Sequence, residues 1–255
     1  MFHLRKWYLD CTAESGETAI VYRAELRWRV ARLSWGGLLH KLALDQPTVQ
    51  RSTFRPDPAP ELDQDGIRVA DEILAVAGTW VPDAPSHDAV LLENDDGRIR
   101  WTCHAPSARC RMTISGRPIE GRGYAELLVM TIPPWKLPIR ELRWGRWLAE
   151  DDSLVWIDWR GEQPLSLILA RGAPVVGRVE DESGTVEGSA NLRLDQSGVL
   201  REGELGATVL RDVPVIGRRI PPAIARTHET KWISRGVTAG GCEGWAVHER
   251  VCFGH

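Results

Sequence analysis

Apolar and polar residues alternate along most of the chain with a period of two, which is the pattern of half-buried β-strands. Segments that combine 3.6-residue periodicity with helix-capping residues are nearly absent. The alternating runs predict strands at residues 18–28, 67–76, 89–93, 98–104, 109–115, 123–132, 153–159, 165–171, 175–180, 188–194, 204–211, 229–237 and 244–252. Many short strands at this spacing predict a nearly all-β sandwich or barrel.

Turn signals between these runs indicate antiparallel neighbours. Four tripeptides place Gly where a hairpin needs a positive φ: Glu14-Ser15-Gly16, Asp95-Asp96-Gly97, Glu182-Ser183-Gly184 and Gln196-Ser197-Gly198. Residues 47–65 are rich in Pro and Asp without periodicity, and they predict a long surface loop or lid. Pro133-Pro134 and the following Pro138 mark a boundary, which predicts two domains at residues 1–134 and 135–255.

Composition limits the classes of partner that the protein is expected to bind. The net charge is −3 and the basic residues are spread out, which argues against nucleic acid as a partner. The first ten residues lack an apolar signal core and no stretch reaches membrane-spanning length, so we expect no export and no integral membrane association. Five Cys at unrelated spacings predict reduced, buried thiols in the cytoplasm rather than disulfides or a metal site.

The aromatic content is almost entirely indole, with 12 Trp beside 3 Phe and 3 Tyr. Indoles in β-proteins close barrel ends or line wide apolar cavities. We therefore expect a hydrophobic small molecule as the partner, with no cofactor. The chain has no GxSxG elbow, Walker loop, GxGxxG fingerprint or HExxH helix, so serine-hydrolase, nucleotide-dependent and zinc-protease functions lack support.

Three carboxylates occupy strand positions with apolar neighbours. Alternation places Glu126 with Tyr124 on one face of run 123–132, and both faces of that run are apolar. Desolvation would raise the pKa of this carboxyl, which suits a general acid. A structural ion pair with Arg143 or Arg146 is an equally good interpretation.

Glu249 shares an apolar face with Trp245, and Asp158 shares a face with Trp156. Both are further candidates for acid–base chemistry, although Asp158 could instead accept a hydrogen bond from an indole. His248 lies on the opposite face from Glu249. A histidine in such a position is more often a structural residue with its hydrogen bonds satisfied than a catalyst.

Several motifs resemble the hydroxyneurosporene synthase (carotenoid 1,2-hydratase) and AttH-like group. They are Lys6-Trp7-Tyr8-Leu9-Asp10, Gly123-Tyr124-Ala125-Glu126, Pro133-Pro134, Leu142-Arg143-Trp144-Gly145-Arg146-Trp147 and Val155-Trp156-Ile157-Asp158-Trp159. Glu126 stands where that group has Asp in its Gly-Tyr-x-Asp motif. The resemblance implies an all-β fold of two antiparallel lipocalin-like (calycin) barrels in tandem, with a large apolar pocket.

The resemblance also implies an enzyme that hydrates, cyclises or isomerises a lipophilic isoprenoid or polyene. Glu126, Asp158 and Glu249 are then the candidate catalytic residues. The candidate substrate-binding residues are Tyr124, Trp135, Arg143, Trp144, Arg146, Trp156, Trp159, Trp245 and His248. Two alternatives stay open: a carrier that holds a hydrophobic molecule unchanged, and a scaffold protein with a filled core.

Overall fold

The structure, a computed structural model, describes residues 2–179, 186–187, 191–209, 211 and 221–254. Its strands, in chain order, are β1 (Phe2–Thr12), β2 (Thr18–Trp28), β3 (Ala31–Lys41), β4 (Val49–Thr53), β5 (Glu61–Asp63), β6 (Gly66–Asp71), β7 (Val76–Pro82), β8 (His87–Asn94), β9 (Gly97–Ile114), β10 (Arg117–Met130), β11 (Ile139–Leu148), β12 (Ser153–Gly161), β13 (Leu165–Ala170), β14 (Ala173–Val175), β15 (Arg178–Val179), β16 (Val186–Glu187), β17 (Arg193–Glu204), β18 (His228–Val237) and β19 (Glu243–Cys252). A 3-10 turn at Pro134–Lys136 and the one-turn helix α1 (Pro222–Ala225) are the helical elements of these ranges.

The strands form two large antiparallel sheets. The first has the order β4-β3-β2-β1-β10-β9-β7-β6-β5, with β8 also paired to β9. The second has the order β14-β13-β12-β11-β19-β18-β17, and β15 pairs with β16 separately. Both sheets are curled, so the protein has the predicted all-β, tandem lipocalin-like fold. The chain passes from one sheet to the other through residues 131–138, whereas the division into domains 1–134 and 135–255 stays a prediction.

Three hydrophobic cores explain why so many strands are apolar on both faces. One core lies within the first sheet and includes Trp7, Leu9, Val21, Leu38, Trp80 and Ile114. Another lies within the second sheet and includes Trp147, Leu154, Trp156, Ile168 and Ala246. The third, here called the inter-sheet core, takes residues from both sheets, among them Tyr8, Tyr22, Trp101, Tyr124, Trp144, Trp159, Ile233 and Val247.

Strand β1 shows how alternation divides residues between these cores. Trp7 and Leu9 point into the core of the first sheet, and Tyr8 between them points into the inter-sheet core. Burial of both faces removes the usual polar outer face of an antiparallel strand. The inter-sheet face therefore carries polar groups that must find partners across the interface.

A buried ion pair joins the two sheets. Arg146 on β11 donates from Nε to Asp10 Oδ2 at 3.0 Å and from Nη2 to Asp10 Oδ1 at 2.9 Å. Both side chains are completely buried. Nearby, the indole of Trp245 donates to the backbone oxygen of Glu14 at 3.1 Å, so β19 also contacts the β1–β2 turn.

The strand predictions are confirmed for most of the chain. Run 18–28 coincides with β2, and runs 89–93, 229–237 and 244–252 lie within β8, β18 and β19. Runs 98–104 and 109–115 belong to one long strand, β9, which changes its partner from β8 to β7 between Cys103 and Ala108. Pro106 lies at this change of partner, where its missing N–H breaks no ladder.

Other predictions were wrong. Run 67–76 contains a turn, because β6 ends at Asp71 and β7 begins at Val76. Residues 205–209 are turn rather than strand, since the amides of Ala207 and Thr208 both donate to the carbonyl of Glu204. Segment 47–65 contains β4 and β5 and is not a single loop.

The turn tripeptides also had mixed outcomes. Gly16 and Gly97 have φ of 87° and 133° at the predicted hairpin turns. Gln196-Ser197-Gly198 instead lies inside β17, where the pairing with β18 shifts register between Asp195 and Gly198. Glu182-Ser183-Gly184 and residues 188–190 lie outside the described residues. No described helix has the length and apolar character to cross a membrane.

Candidate functional site

Glu126 is the centre of a hydrogen-bond cluster between the two sheets. Glu126 is buried, with 8% of its surface exposed. One carboxylate oxygen, Oε2, accepts hydrogen bonds from Trp101 Nε1 at 2.5 Å, Tyr124 Oη at 2.6 Å and Trp144 Nε1 at 3.2 Å. Three donors from three strands therefore hold a single oxygen atom in place.

Local strand geometry explains how the donors converge. Tyr124 and Glu126 are two residues apart on β10 and share a face, as alternation predicts. Trp101 lies on β9, which pairs with β10 through register shifts around Ala125. Trp144 comes from β11 of the second sheet. The cluster is complete only when the two sheets pack together.

The environment raises the pKa of Glu126. Burial is the largest cause, because an apolar surrounding disfavours the carboxylate, while the hydrogen bonds from Tyr124, Trp101 and Trp144 and the charge of Lys6 act in the opposite direction. The net result is a carboxyl group that retains its proton more strongly than in water. Because Oε2 already accepts three hydrogen bonds, the proton belongs on Oε1.

Tyr8 packs beside this acid and links it to a second group of side chains. Its ring centre is 4.8 Å from that of Trp144, 5.9 Å from that of Tyr124 and 5.4 Å from that of Tyr22. Its hydroxyl donates to Asp10 Oδ2 at 2.9 Å. The pKa of Tyr8 is well above its usual value because of burial and the nearby Asp10 carboxylate. This phenol therefore stays neutral.

An ionic cluster lies beside Tyr8, with Lys231 Nζ 5.5 Å from the centre of the Tyr8 ring. Lys231, 1% exposed, forms an ion pair with Glu249 and lies 3.7 Å from Glu229 Oε1. Arg201 Nη2 lies 2.8 Å from both oxygens of Glu229. Burial alone would lower the pKa of Lys231, but Glu249 and Glu229 raise it overall. The ammonium also lies 5.2 Å from the ring centre of Trp144, a cation–π contact that connects the cluster to the acid.

The structure assigns Arg146 and Arg143 to other carboxylates. Arg146 pairs with Asp10, as described above, and also donates to Thr12 Oγ1 at 2.7 Å. Arg143 donates to Glu141 Oε1 at 2.6 Å. The interpretation of Glu126 as the partner of either arginine was wrong. Its partners are neutral donors, because Arg146 reaches across the interface to a residue on β1 instead.

Asp158 and His248 lie away from the acid. Arg143, the cross-strand partner of Asp158, alternates with Trp144 on β11 and therefore faces away from the inter-sheet core. Burial raises the pKa of Asp158, and its ionic neighbour is Arg160 at 3.6 Å. His248 accepts from or donates to Ser234 Oγ at 2.9 Å and stacks on Trp232. Burial, with smaller contributions from Lys231 and Arg146, lowers the pKa of His248 to about 3.

The other tryptophans that were predicted to bind substrate do not line one common surface. Trp159 lies in the inter-sheet core and donates to the carbonyl of Gln163 at 2.9 Å. Trp156 belongs to the core of the second sheet, so it is separated from Trp144. Trp135 is 37% exposed and packs against Phe2 and Trp28. The structure thus groups Glu126, Tyr124 and Trp144 directly, with Glu249 one contact away through Lys231.

Several site residues were absent from the sequence prediction, although signals for them existed. Tyr8 and Asp10 alternate with apolar residues on β1, and Glu229 and Lys231 lie two apart on β18, which gives opposite charges on one face. A charged pair at that spacing inside an apolar strand indicates a buried ionic site. Trp101 carried no such signal, because only the pairing of β9 with β10 brings it to Glu126.

These groups bring together a carboxyl group that can supply a proton, Glu126, and aromatic side chains whose faces attract positive charge. Within the described ranges, no set of three His, Cys, Asp or Glu side chains is arranged to hold a metal ion. The raised pKa of Glu126 suits the residues of this site to acid–base chemistry.

Comparison with known proteins places this geometry in a fold. No protein-family model matches the chain, and no curated protein matches it in sequence. An AttH-like protein from Nitrosomonas europaea has a TM-score of 0.58 at 10% identity, covering 98% of this chain and 91% of that one. Kievitone hydratase from Nectria haematococca has a TM-score of 0.54 at 11% identity, covering 98% and 88%.

A third similar structure is CghA with Sch210972, with a TM-score of 0.58 at 10% identity over 99% of this chain and 89% of that one. The similarity covers nearly the whole of each chain, so it includes both sheets. Identities of 10–11% support a statement about architecture alone. The chain therefore has the AttH-like, lipocalin-like fold of two curled antiparallel sheets.

Proposed function

We propose that the protein is an enzyme that transfers a proton from Glu126 to a lipophilic isoprenoid or polyene substrate bound between the two sheets. The reaction class is acid-assisted hydration, cyclisation or isomerisation of a carbon–carbon double bond. The observation that carries this proposal is the set of three neutral donors on Glu126 Oε2. It leaves Oε1 as the oxygen that bears and delivers the proton.

The three donors have a clear chemical purpose in such a reaction. Burial raises the pKa of the carboxyl group and so favours its protonated form in the free enzyme. Once the proton has moved to the substrate, the same donors stabilise the carboxylate that is left behind. Donors that were already in place need no reorganisation during the step. Glu126 therefore holds its proton more strongly than a carboxyl group in water does, and its carboxylate is stabilised once the proton is lost.

The aromatic side chains around the acid suit a cationic intermediate. The rings of Tyr8, Tyr124 and Trp144 pack edge to face beside Glu126. The ammonium of Lys231, 5.5 Å from the ring centre of Tyr8 and 5.2 Å from that of Trp144, is consistent with ring faces that attract positive charge. In a hydration, water adds to the carbon cation and its surplus proton returns to the Glu126 carboxylate. The name of the structurally similar kievitone hydratase is consistent with this reaction class.

The test is turnover by matched variants. Purified protein would be incubated with a lipid extract of its source organism, and the small molecules followed by mass spectrometry. We expect the wild-type protein to convert a lipophilic molecule, and Glu126→Gln to bind that molecule without converting it. Glu120→Gln is the control, because Glu120 is exposed and pairs only loosely with Arg111 at 3.6 Å. A molecule bound but unaltered by all three proteins would instead identify a carrier.

A further inference from the structure

Three buried hydrogen-bond donors at or near Tyr22 have no acceptor among the residues that the structure describes. They are the Tyr22 hydroxyl, Trp35 Nε1 and Arg201 Nε. Tyr22 itself is 96% buried, with 4% exposed. Such groups are uncommon in folded proteins because each costs free energy unless a partner satisfies it. Three of them around one ring point to a ligand with acceptor oxygens.

The side chains that carry these donors are neighbours. The ring centres of Tyr22 and Trp35 are 5.9 Å apart, and the guanidinium carbon of Arg201 is 5.5 Å from the centre of the Tyr22 ring. Gly37, the cross-strand partner of Tyr22, allows this arrangement, because a Cβ there would lie 2.5 Å from the Trp35 ring. The glycine therefore gives Trp35 its position beside Tyr22.

The charged side chains around Tyr22 indicate the charge of the acceptor. Lys6, Arg201 and Lys231 surround Tyr22, against the two carboxylates of Glu229 and Glu249. Lys6 Nζ lies 5.7 Å from the Tyr22 ring centre and has no carboxylate within ion-pair distance among the described residues. Around the Tyr22 ring, three cations therefore face two carboxylates, a balance that favours an anionic oxygen over a neutral one.

We propose that Tyr22, Trp35 and Arg201 form a subsite for the carboxylate of an amphiphilic substrate whose apolar body extends past Tyr8 towards Glu126. Tyr8 touches both Tyr22 and the aromatic rings beside Glu126, so it connects the two ends. The subsite deepens the proposed function, on which it rests, by making the substrate an apolar acid. A purely hydrocarbon substrate would leave all three donors without an acceptor.

The test compares two probes with the same polyene chain, one ending in a charged carboxylate and the other in a neutral ester. The protein would be titrated with cis-parinaric acid, a fluorescent polyene carboxylate, and with its methyl ester. We expect the wild-type protein to bind the acid at least about tenfold more tightly than the ester, since a hydrogen bond to a charged group is stronger than one to a neutral group. Tyr22→Phe should weaken binding of the acid about fivefold to tenfold and leave binding of the ester unchanged.

A stability measurement excludes a folding defect in this variant. Tyr22→Phe removes a buried hydroxyl that has no partner, so the melting temperature without probe should equal or exceed that of the wild-type protein. Trp35→Phe is a second variant, in which another of the three donors, the indole N–H, is removed. Equal affinities for acid and ester, an unchanged affinity for the acid in both variants, or no binding of either probe would overturn the subsite. Because the readout is binding and not turnover, these outcomes do not depend on whether Glu126 is the acid, and Glu120→Gln, at an exposed position outside the site, should behave like the wild type.

Discussion

Trp144 Nε1, on the first strand of the second sheet, lies 3.2 Å from Glu126 Oε2, on the last strand of the first sheet. This hydrogen bond crosses the interface between the sheets at the candidate catalytic acid. It follows that the acid acquires its full environment only in the assembled two-sheet protein. The site is neither inside the first curled sheet nor inside the second.

Replacing Trp144 should change the acidity of Glu126. Its hydrogen bond favours the carboxylate, so Trp144→Phe should raise the pKa of Glu126 further. Infrared spectroscopy of the carboxyl stretch, with Glu126→Gln as the reference, measures this pKa. Trp147→Phe is the control, because that indole is buried in the other core and donates to the carbonyl of Gly236. An unchanged or lower pKa in Trp144→Phe would show that the cross-sheet hydrogen bond does not act on the acid.

Breaking the buried ion pair should strongly destabilise the protein. Asp10→Ala leaves the guanidinium of Arg146 buried without its carboxylate, which should lower the free energy of unfolding by about 3–5 kcal/mol. Urea denaturation measures the change. Asp10→Ala combined with Arg146→Met should be less damaging than Asp10→Ala alone, since no unpaired charge remains.

The exposed pair of Arg111 and Glu120 is the control for that comparison. Glu120→Gln should change the free energy of unfolding by no more than about 0.5 kcal/mol. A similarly small effect of Asp10→Ala would mean that the buried pair does not hold the sheets together.

Much of the fold could be predicted from the sequence because alternation is a local signal. The pattern located β2 with both of its ends, and Gly16 and Gly97 marked real turns. It missed β3, in which Gly36 and Gly37 interrupt the pattern. Those glycines are needed for packing, since a Cβ at Gly36 would lie 2.9 Å from Pro56 and one at Gly37 would meet Trp35.

The site was only partly predictable because its contacts are long-range. Glu126 and Tyr124 lie two residues apart and could be paired from the sequence. An ion pair of Glu126 with Arg143 or Arg146 was one of two interpretations, whereas Arg146 contacts Asp10, 136 residues away in the chain. Glu249 was identified as an acid without its partner, because the pairing of Lys231 with Glu249 depends on the register of β18 and β19.

His248 should remain neutral well below neutral pH. Its pKa in the folded protein is about 3 because of burial and the charges of Lys231 and Arg146. Since the unfolded chain binds a proton near pH 6.5, the free energy of unfolding should fall as the pH drops from about 6.5 towards 3, by up to about 1.4 kcal/mol per pH unit from this residue. The slope should be smaller in His248→Gln. Nuclear magnetic resonance of the imidazole would contradict this account if His248 titrated near pH 6.5.

Gly145 should not tolerate a side chain. A Cβ there would lie 2.2 Å from Trp156 and 2.8 Å from the Cβ of His248. Gly145→Ala should therefore destabilise the protein by about 1–3 kcal/mol through overpacking of the second core. Gly240→Ala is the matched control, because its nearest neighbour is Thr238 Oγ1 at 3.8 Å. Equal thermal stability of the two variants would show that this part of the core can relax.

Transfer of a proton from Glu126 is the central claim, and isotope incorporation tests it most directly. Wild-type protein and Glu126→Gln would each be incubated in deuterium oxide with the lipid extract, and the products examined by mass spectrometry. The account predicts that the wild-type protein places one deuterium on a carbon atom of the product and that Glu126→Gln forms no such product. Equal deuterium incorporation by both proteins would contradict the assignment of Glu126 as the acid.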